Sequence, residues 1–140
     1  MMSYDKLEAD EKVRRREIVA AARKMIAEQL SVENEDEVSL MAVYRNYYLQ
    51  ISFSELHPLM VFCFAKALDR SFMNRLPDLN KINQESVLGC HMIHDEAGCY
   101  CYRASHWLDR KLTPLRFFEL LNRHMAEAER GFSEICKIWL

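Results

Sequence analysis

The period of the hydrophobic pattern changes twice along this chain, and that constrains its fold more than any other feature of the sequence. From Ser3 to Leu30 there is no Gly or Pro, and Leu7, Ile18, Ala22, Met25, Ile26 and Leu30 recur at mostly helical spacings among Glu, Lys and Arg. The spacing predicts one long amphipathic helix, with Ser3 as its N-cap ahead of an acidic first turn. "SVENEDE" (Ser31 to Glu37) then reads as an acidic loop. From Val38 the apolar residues alternate instead. "VSLMAVY", "YYLQISF" and "LMVFCFAKAL" are rich in β-branched and aromatic residues and are broken by Arg45-Asn46 and by "SELHP" (Ser54 to Pro58). They predict an antiparallel meander of three strands, with Asn46 suited to the left-handed backbone of a tight turn.

The helical period returns in "DRSFMNRLPDLNKINQES", where Phe72, Leu76, Leu79 and Ile82 share a face that Pro77 interrupts, so a broken helix or two short helical pieces are expected. "VLGCHMIH" and "CYCYRASHWL" flank "DEAG" as a second hairpin. Thr113-Pro114 then reads as an N-cap followed by proline at the first helical position. Phe117, Phe118, Leu121, His124, Met125, Ala128, Phe132 and Ile135 line one face of the closing helix, with Phe117, Phe118 and Leu121 expected to be buried and Arg116 and Glu119 exposed. The order is α-β-β-β-α-β-β-α. It implies an α+β fold in a single domain over residues 1–140, with five strands in an antiparallel-rich sheet packed by helices at about residues 3–30 and 114–136.

Composition removes several functional classes. Half the residues are hydrophobic, 29% are charged, and three Gly and three Pro leave no room for a low-complexity chain. The run around "PLMVFCFAKAL" is too short to cross a bilayer and contains Lys66, and the N-terminus is polar and acidic where a signal peptide is basic and then apolar. A cytoplasmic protein with no membrane partner is expected. A formal charge of −2 gives no pull toward nucleic acid, and the aromatic run Tyr44, Tyr47 and Tyr48 beside Arg45 fits a half-buried strand pair better than a base-stacking surface. Gly89, Gly98 and Gly131 are too scattered for a phosphate loop, so no cofactor is expected.

The chemistry-bearing residues concentrate in "GCHMIHDEAGCYCYR", Gly89 to Arg103. With Asp95 to Gly98 as a four-residue turn, His94 faces Cys99, Met92 faces Cys101 and Cys90 faces Arg103, all on one side. His91, Ile93, Tyr100, Tyr102 and Ala104 fall on the other. Cys90, His94, Cys99 and Cys101 are therefore the candidate ligands of a soft metal site, although the chain has neither paired CxxC knuckles nor CxxC with HxxxH. The expected reading is instead cysteines acting as small buried hydrophobes, with no metal bound, and a redox-sensitive thiol pair is the remaining alternative. A Cys-His nucleophile would need an oxyanion site as well, and His124, on the apolar side of the last helix, reads as a packing histidine. No catalytic residue set emerges, and a non-enzymatic role is expected.

The stretch from Leu79 to Phe132 resembles the YbjN family, within the type III secretion chaperone-like fold. The residues that carry the likeness are Leu79-Asn80 with Ile82-Asn83, Gly89 leading a strand, the turn Asp95 to Gly98, Tyr102-Arg103, and Leu112-Thr113-Pro114 opening the last helix. The first half of the chain matches in layout. The resemblance implies a non-enzymatic module whose partner is a protein or peptide client. Secretion chaperones of this fold bind an unfolded client segment along sheet and helix surfaces, commonly as homodimers, and YbjN-type proteins are regarded as regulators. The first helix agrees, since Leu7, Val13, Ile18, Met25 and Ile26 spread apolar side chains over more of its circumference than one stripe needs. Leu7, Val13 and Ile18 are the candidate partner-binding residues, on a homodimer or on a monomer with an open apolar groove near helix one and the exposed sheet face.

Overall fold

The computed structural model describes residues 3–54 and 57–137. Helix α1 spans Tyr4–Gln29; the Ser3 side chain caps it by accepting from the Lys6 amide, and Val19, Ala22 and Ile26 are its buried residues. Only its second half lies on the sheet; the first half is solvated almost throughout. Four strands follow, β1 (Val32–Glu35), β2 (Ser39–Tyr44), β3 (Tyr47–Ser54) and β4 (Leu59–Ala67). A 3₁₀ turn at Arg70–Phe72 leads to α2 (Leu76–Glu85), then β5 (Cys90–His94), β6 (Cys99–Trp107) and α3 (Pro114–Ile135). Among the described residues the sheet has six strands, in the order β1-β2-β3-β4-β6-β5, and every pairing is antiparallel.

The sixth strand corrects the expectation of a loop over Ser31 to Glu37. Asn34 and Glu35 pair with Met41 and Leu40 after a bulge, and three of the four β1 side chains face water. The strand exists through backbone bonds to β2, so its side chains carry no alternating apolar signal. The first hairpin turn is two residues, Arg45 and Asn46, both at positive φ (48° and 68°), which matches the right-handed twist of the flanking strands. Pro77 does not break a helix; it sits in the first turn of α2, where its missing N–H is harmless. The "SELHP" turn includes Glu55 and Leu56, which lie outside the described residues.

The helices' core contacts all lie on one face of the sheet. The buried cluster joins Leu49, Ile51, Met60, Phe62, Phe64, Tyr100 and Tyr102 to Val19, Ala22 and Ile26 of α1 and to Phe117, Leu121, Met125 and Ala128 of α3. Phe117 is fully buried and stacks on Phe62 at 6.1 Å between ring centroids. Phe118 is only half-buried at the edge of the cluster, while Arg116 and Glu119 are exposed as expected.

Candidate functional site

The register of the strands settles what the other face of the sheet presents. The middle row runs Val43, Tyr48, Ala65, Cys101 and Met92 across five strands. The row beside it runs Met41, Gln50, Cys63, Arg103 and Cys90. Beyond these lie Ser39, Ser52, Val61 and Ser105, and then Ser54, Leu59 and Trp107. At the opposite end Ala67, Cys99 and His94 close the surface. Arg103 is the one Lys, Arg, Asp or Glu on this face of β2 to β6 among the described residues. Tyr48, Trp107 and Val43 are exposed here at 69%, 64% and 48%. A solvated sheet face ordinarily carries polar and charged side chains; this one is mostly apolar, sulfur-bearing or uncharged.

The hairpin forms with the expected pairing: Cys90 with Arg103, Met92 with Cys101, His94 with Cys99. Its candidate ligands do share the outer face, but at different depths. Cys90 and His94 are exposed, Cys99 is half-buried and Cys101 buried. Cys99 and Cys101 are in contact, Sγ to Sγ 3.5 Å. Among the described residues, no group of three or more His, Cys, Asp and Glu is arranged to hold a metal ion. The residue that sequence reasoning missed is Cys63. Pairing of β4 with β6 puts it directly across from Arg103 and diagonal to Cys101, whose thiol meets that of Cys99. The neighbouring Cys101 thiol and then the Arg103 charge lower the Cys63 thiol to about 7, against the opposing effect of burial. Cys101, whose proton is held by its sulfur neighbours and by burial, is pushed up. Of the candidate partner residues on α1, Leu7 and Val13 are both 52% exposed, whereas Ile18 packs against the core. At 100° per residue the three do not form one stripe.

Beneath the sheet lies a second constellation, which is structural. Glu127 of α3 accepts backbone N–H bonds from Val87, Leu88 and Gly89 and the Tyr102 hydroxyl at 2.8 Å. Because its hydroxyl hydrogen points to Glu127, the Tyr102 oxygen accepts from His124 Nδ1 at 3.0 Å, which leaves His124 Nε2 to accept from His106 Nε2. Burial holds His124 down to about 4. His91 is fixed on both nitrogens, to Ser86 Oγ and Tyr100 Oη, each at 2.6 Å. Asn83 exchanges two bonds with the His91 backbone, 2.9 and 2.7 Å, and so pairs with edge strand β5 as another strand would. Among the described residues no buried side-chain N or O lacks a partner. His124 is thus the packing histidine expected; Glu127 and Ser86 gave no signal in the sequence because their partners are backbone groups and residues distant along the chain.

An antiparallel sheet flanked on one face by two long helices and a short one, with its other face open, is the architecture of the secretion-chaperone-like fold, and this chain has it. No protein-family model matches the sequence, and no curated protein matches it either. Among solved structures it is similar to YbjN from E. coli, a candidate transcription regulator, with TM-score 0.62 and 15% identity over 82% of this chain and 88% of that one. It is also similar to the Yersinia pestis type III secretion chaperone SycH in complex with a stable fragment of YscM2 (TM-score 0.56, 9% identity, 81% of this chain and 98% of the other). A third is a chain of the HopA1-SchA chaperone-effector complex (TM-score 0.52, 14% identity, 82% and 86%). No helix among the described residues is long and apolar enough to cross a membrane.

Proposed function

We propose that the chain is a non-enzymatic, cytoplasmic protein-binding module of chaperone-like or regulatory type, and that the open face of its sheet receives an extended apolar segment of a client protein. The observation that carries this is the near absence of charge on that face. Water is a poor neighbour for a surface centred on Val43, Tyr48, Ala65 and Met92, and covering it with apolar side chains releases about 25 cal/mol per Å². The similar structures that are chaperone complexes support a protein as the occupant. Asn83 already occupies the β5 edge at His91, which favours face-on docking through side chains over strand addition there. Arg103 gives the surface one positive charge among its described residues, matched by a single acidic residue in the client. The His, Tyr and Glu groups that meet beneath the sheet satisfy one another, which supports a non-enzymatic reading.

The test uses reduced, carboxymethylated α-lactalbumin, a permanently unfolded chain, as the probe. The natural protein is expected to bind it, and a Val43→Lys, Tyr48→Lys variant with unchanged circular dichroism to bind at least about tenfold more weakly, a difference of roughly 1.4 kcal/mol. Equal binding by both proteins, or no binding by a monomeric natural chain, overturns the proposal. A homodimer is the competing occupant: if sedimentation equilibrium finds a dimer that the same substitutions dissociate, the face belongs to a second copy.

A further inference from the structure

A cavity of about 320 Å³ opens where β6 runs out into the loop that leads to α3. Its buried lining is apolar, from Met60, Leu108 and Leu120, with half-buried His106 beside them. Its exposed lining is basic. Arg110, Lys111 and Arg116 all border the cavity, against one carboxylate, that of Asp109. Arg116 reaches Glu119 at 3.4 Å, but no ion pair among the described residues engages Arg110 or Lys111. Arg14 of α1 adds its guanidinium to the same loop by donating to the Asp109 carbonyl at 2.5 Å.

Packing does not require this gathering of charge, since all three cationic side chains are exposed. Arg116 lies in the first turn of α3, which has no acidic residue, so a cation stands at the positive end of the helix dipole where a carboxylate is ordinarily preferred. Cations drawn together around one hollow repel one another, and an anion placed among them relieves that cost. The chain as a whole has a formal charge of −2, so the local excess belongs to this pocket and not to the general surface. A bare inorganic anion would leave Met60, Leu108 and Leu120 facing water, whereas a hydrocarbon body attached to the anion covers them. We propose that the cavity binds a small amphipathic carboxylate, with its apolar body on Met60, Leu108 and Leu120 and its carboxylate held by Arg110, Lys111 and Arg116. Its volume, about 320 Å³, falls within the range of about 300 to 1,000 Å³ over which small organic ligands are bound. Trp107 alone is common to this cavity and the open sheet face, so the site stands if that face takes no client.

The experiment titrates the full, isotope-labelled protein with sodium octanoate at neutral pH and follows the backbone amides by NMR, with octanol as the uncharged control. Shifts are expected to concentrate in the stretch from His106 to Leu112 and at Arg116 and Leu120, with octanoate bound at least about tenfold more tightly than octanol. An Arg110→Gln, Lys111→Gln variant changes two exposed side chains that the fold does not use. It should weaken octanoate binding at least about fivefold and leave octanol binding as it was. Equal binding of octanoate and octanol, no saturable shift at millimolar octanoate, shifts centred on Val43 and Tyr48 of the open face, or unchanged octanoate affinity in the variant overturns the proposal. Tighter binding of the peptide acetyl-Ala-Ala-Leu than of octanoate at the same amides would assign the cavity to a peptide C-terminus and overturn the small-molecule assignment. The natural protein with the two probes is decisive by itself, so the test does not depend on the variant folding.

Discussion

Gly131→Ala in α3 sets two well-characterised effects against each other. Replacing a helix-interior glycine with alanine ordinarily stabilises a protein by about 1 kcal/mol, because alanine loses less conformational freedom. At Gly131 the added Cβ would stand 2.3 Å from His91 Nδ1, 2.5 Å from His91 Cε1 and 2.7 Å from the Tyr100 hydroxyl. Neither neighbour is a mobile side-chain tip. His91 is buried and held on both ring nitrogens by bonds of 2.6 Å, and the Tyr100 hydroxyl donates to the Ala128 carbonyl at 3.0 Å. Forcing a methyl group into a packed core costs about 1 to 3 kcal/mol, and displacing His91 adds about 1 kcal/mol for each hydrogen bond it gives up. The clash outweighs the propensity gain, and a net loss of about 2 kcal/mol is expected. Urea unfolding followed by circular dichroism should find the midpoint lowered by about 1 M. A double-mutant cycle isolates the cause: in a His91→Ala background the same substitution should cost clearly less, the Tyr100 hydroxyl at 2.7 Å being the one close neighbour left. A Gly131→Ala protein as stable as the natural one, or an unchanged penalty without the imidazole, would refute the reasoning.

Phe117→Ala should cost about 3 to 5 kcal/mol in the same urea assay, since the ring is fully buried against Phe62, whereas Phe118→Ala, at the edge of the core, should cost less than half as much. Acid should destabilise the fold between about pH 6.5 and 4: His124 titrates near 4 when folded and near 6.5 when unfolded, so in that window the unfolded chain binds the additional proton, and about 2 to 3 kcal/mol is lost as pH falls. In His124→Gln that part of the pH dependence should shrink; an unchanged slope would assign the acid sensitivity to other groups.

The architecture was legible wherever side chains carry the structure. Helices α1 and α3 announced themselves through capping residues and apolar spacing, and the second hairpin's register followed from a four-residue turn and the alternation either side of it. Strand β1 was not legible, because "VENE" contributes backbone bonds to the sheet and almost no buried side chain. The thiol cluster was half legible for a related reason. Alternation within one hairpin placed Cys90, His94, Cys99 and Cys101 on a common face, but which strand lies on the far side of β6 is a fact of topology. Only the pairing of β4 with β6 sets Cys63 diagonal to Cys101 and makes Cys90 and His94 the outlying members.

The residues on which the resemblance to the YbjN family rests have a structural task on the covered side of the sheet. Asn83 closes the β5 edge, and Gly89 lies where any side chain would strike the Arg103 carbonyl and the Tyr102 ring, 2.6 Å away. The Tyr102 hydroxyl donates a hydrogen bond to Glu127, which also accepts from three amides of the α2–β5 loop. These groups fasten α2, β5 and α3 together on the covered side of the sheet. Substituting one would leave a buried donor or acceptor unpaired, at about 1 to 3 kcal/mol, so the fold itself constrains them. Side chains on the open face meet no such demand from packing beneath. Val43, Tyr48, Cys63, Met92 and Arg103 project away from the core, and a different set there would leave the scaffold intact. The open face, with Arg103 as the one charged side chain among its described residues and the Cys99 and Cys101 sulfurs in contact on it, is therefore the part of the sheet that the packing of the fold does not dictate.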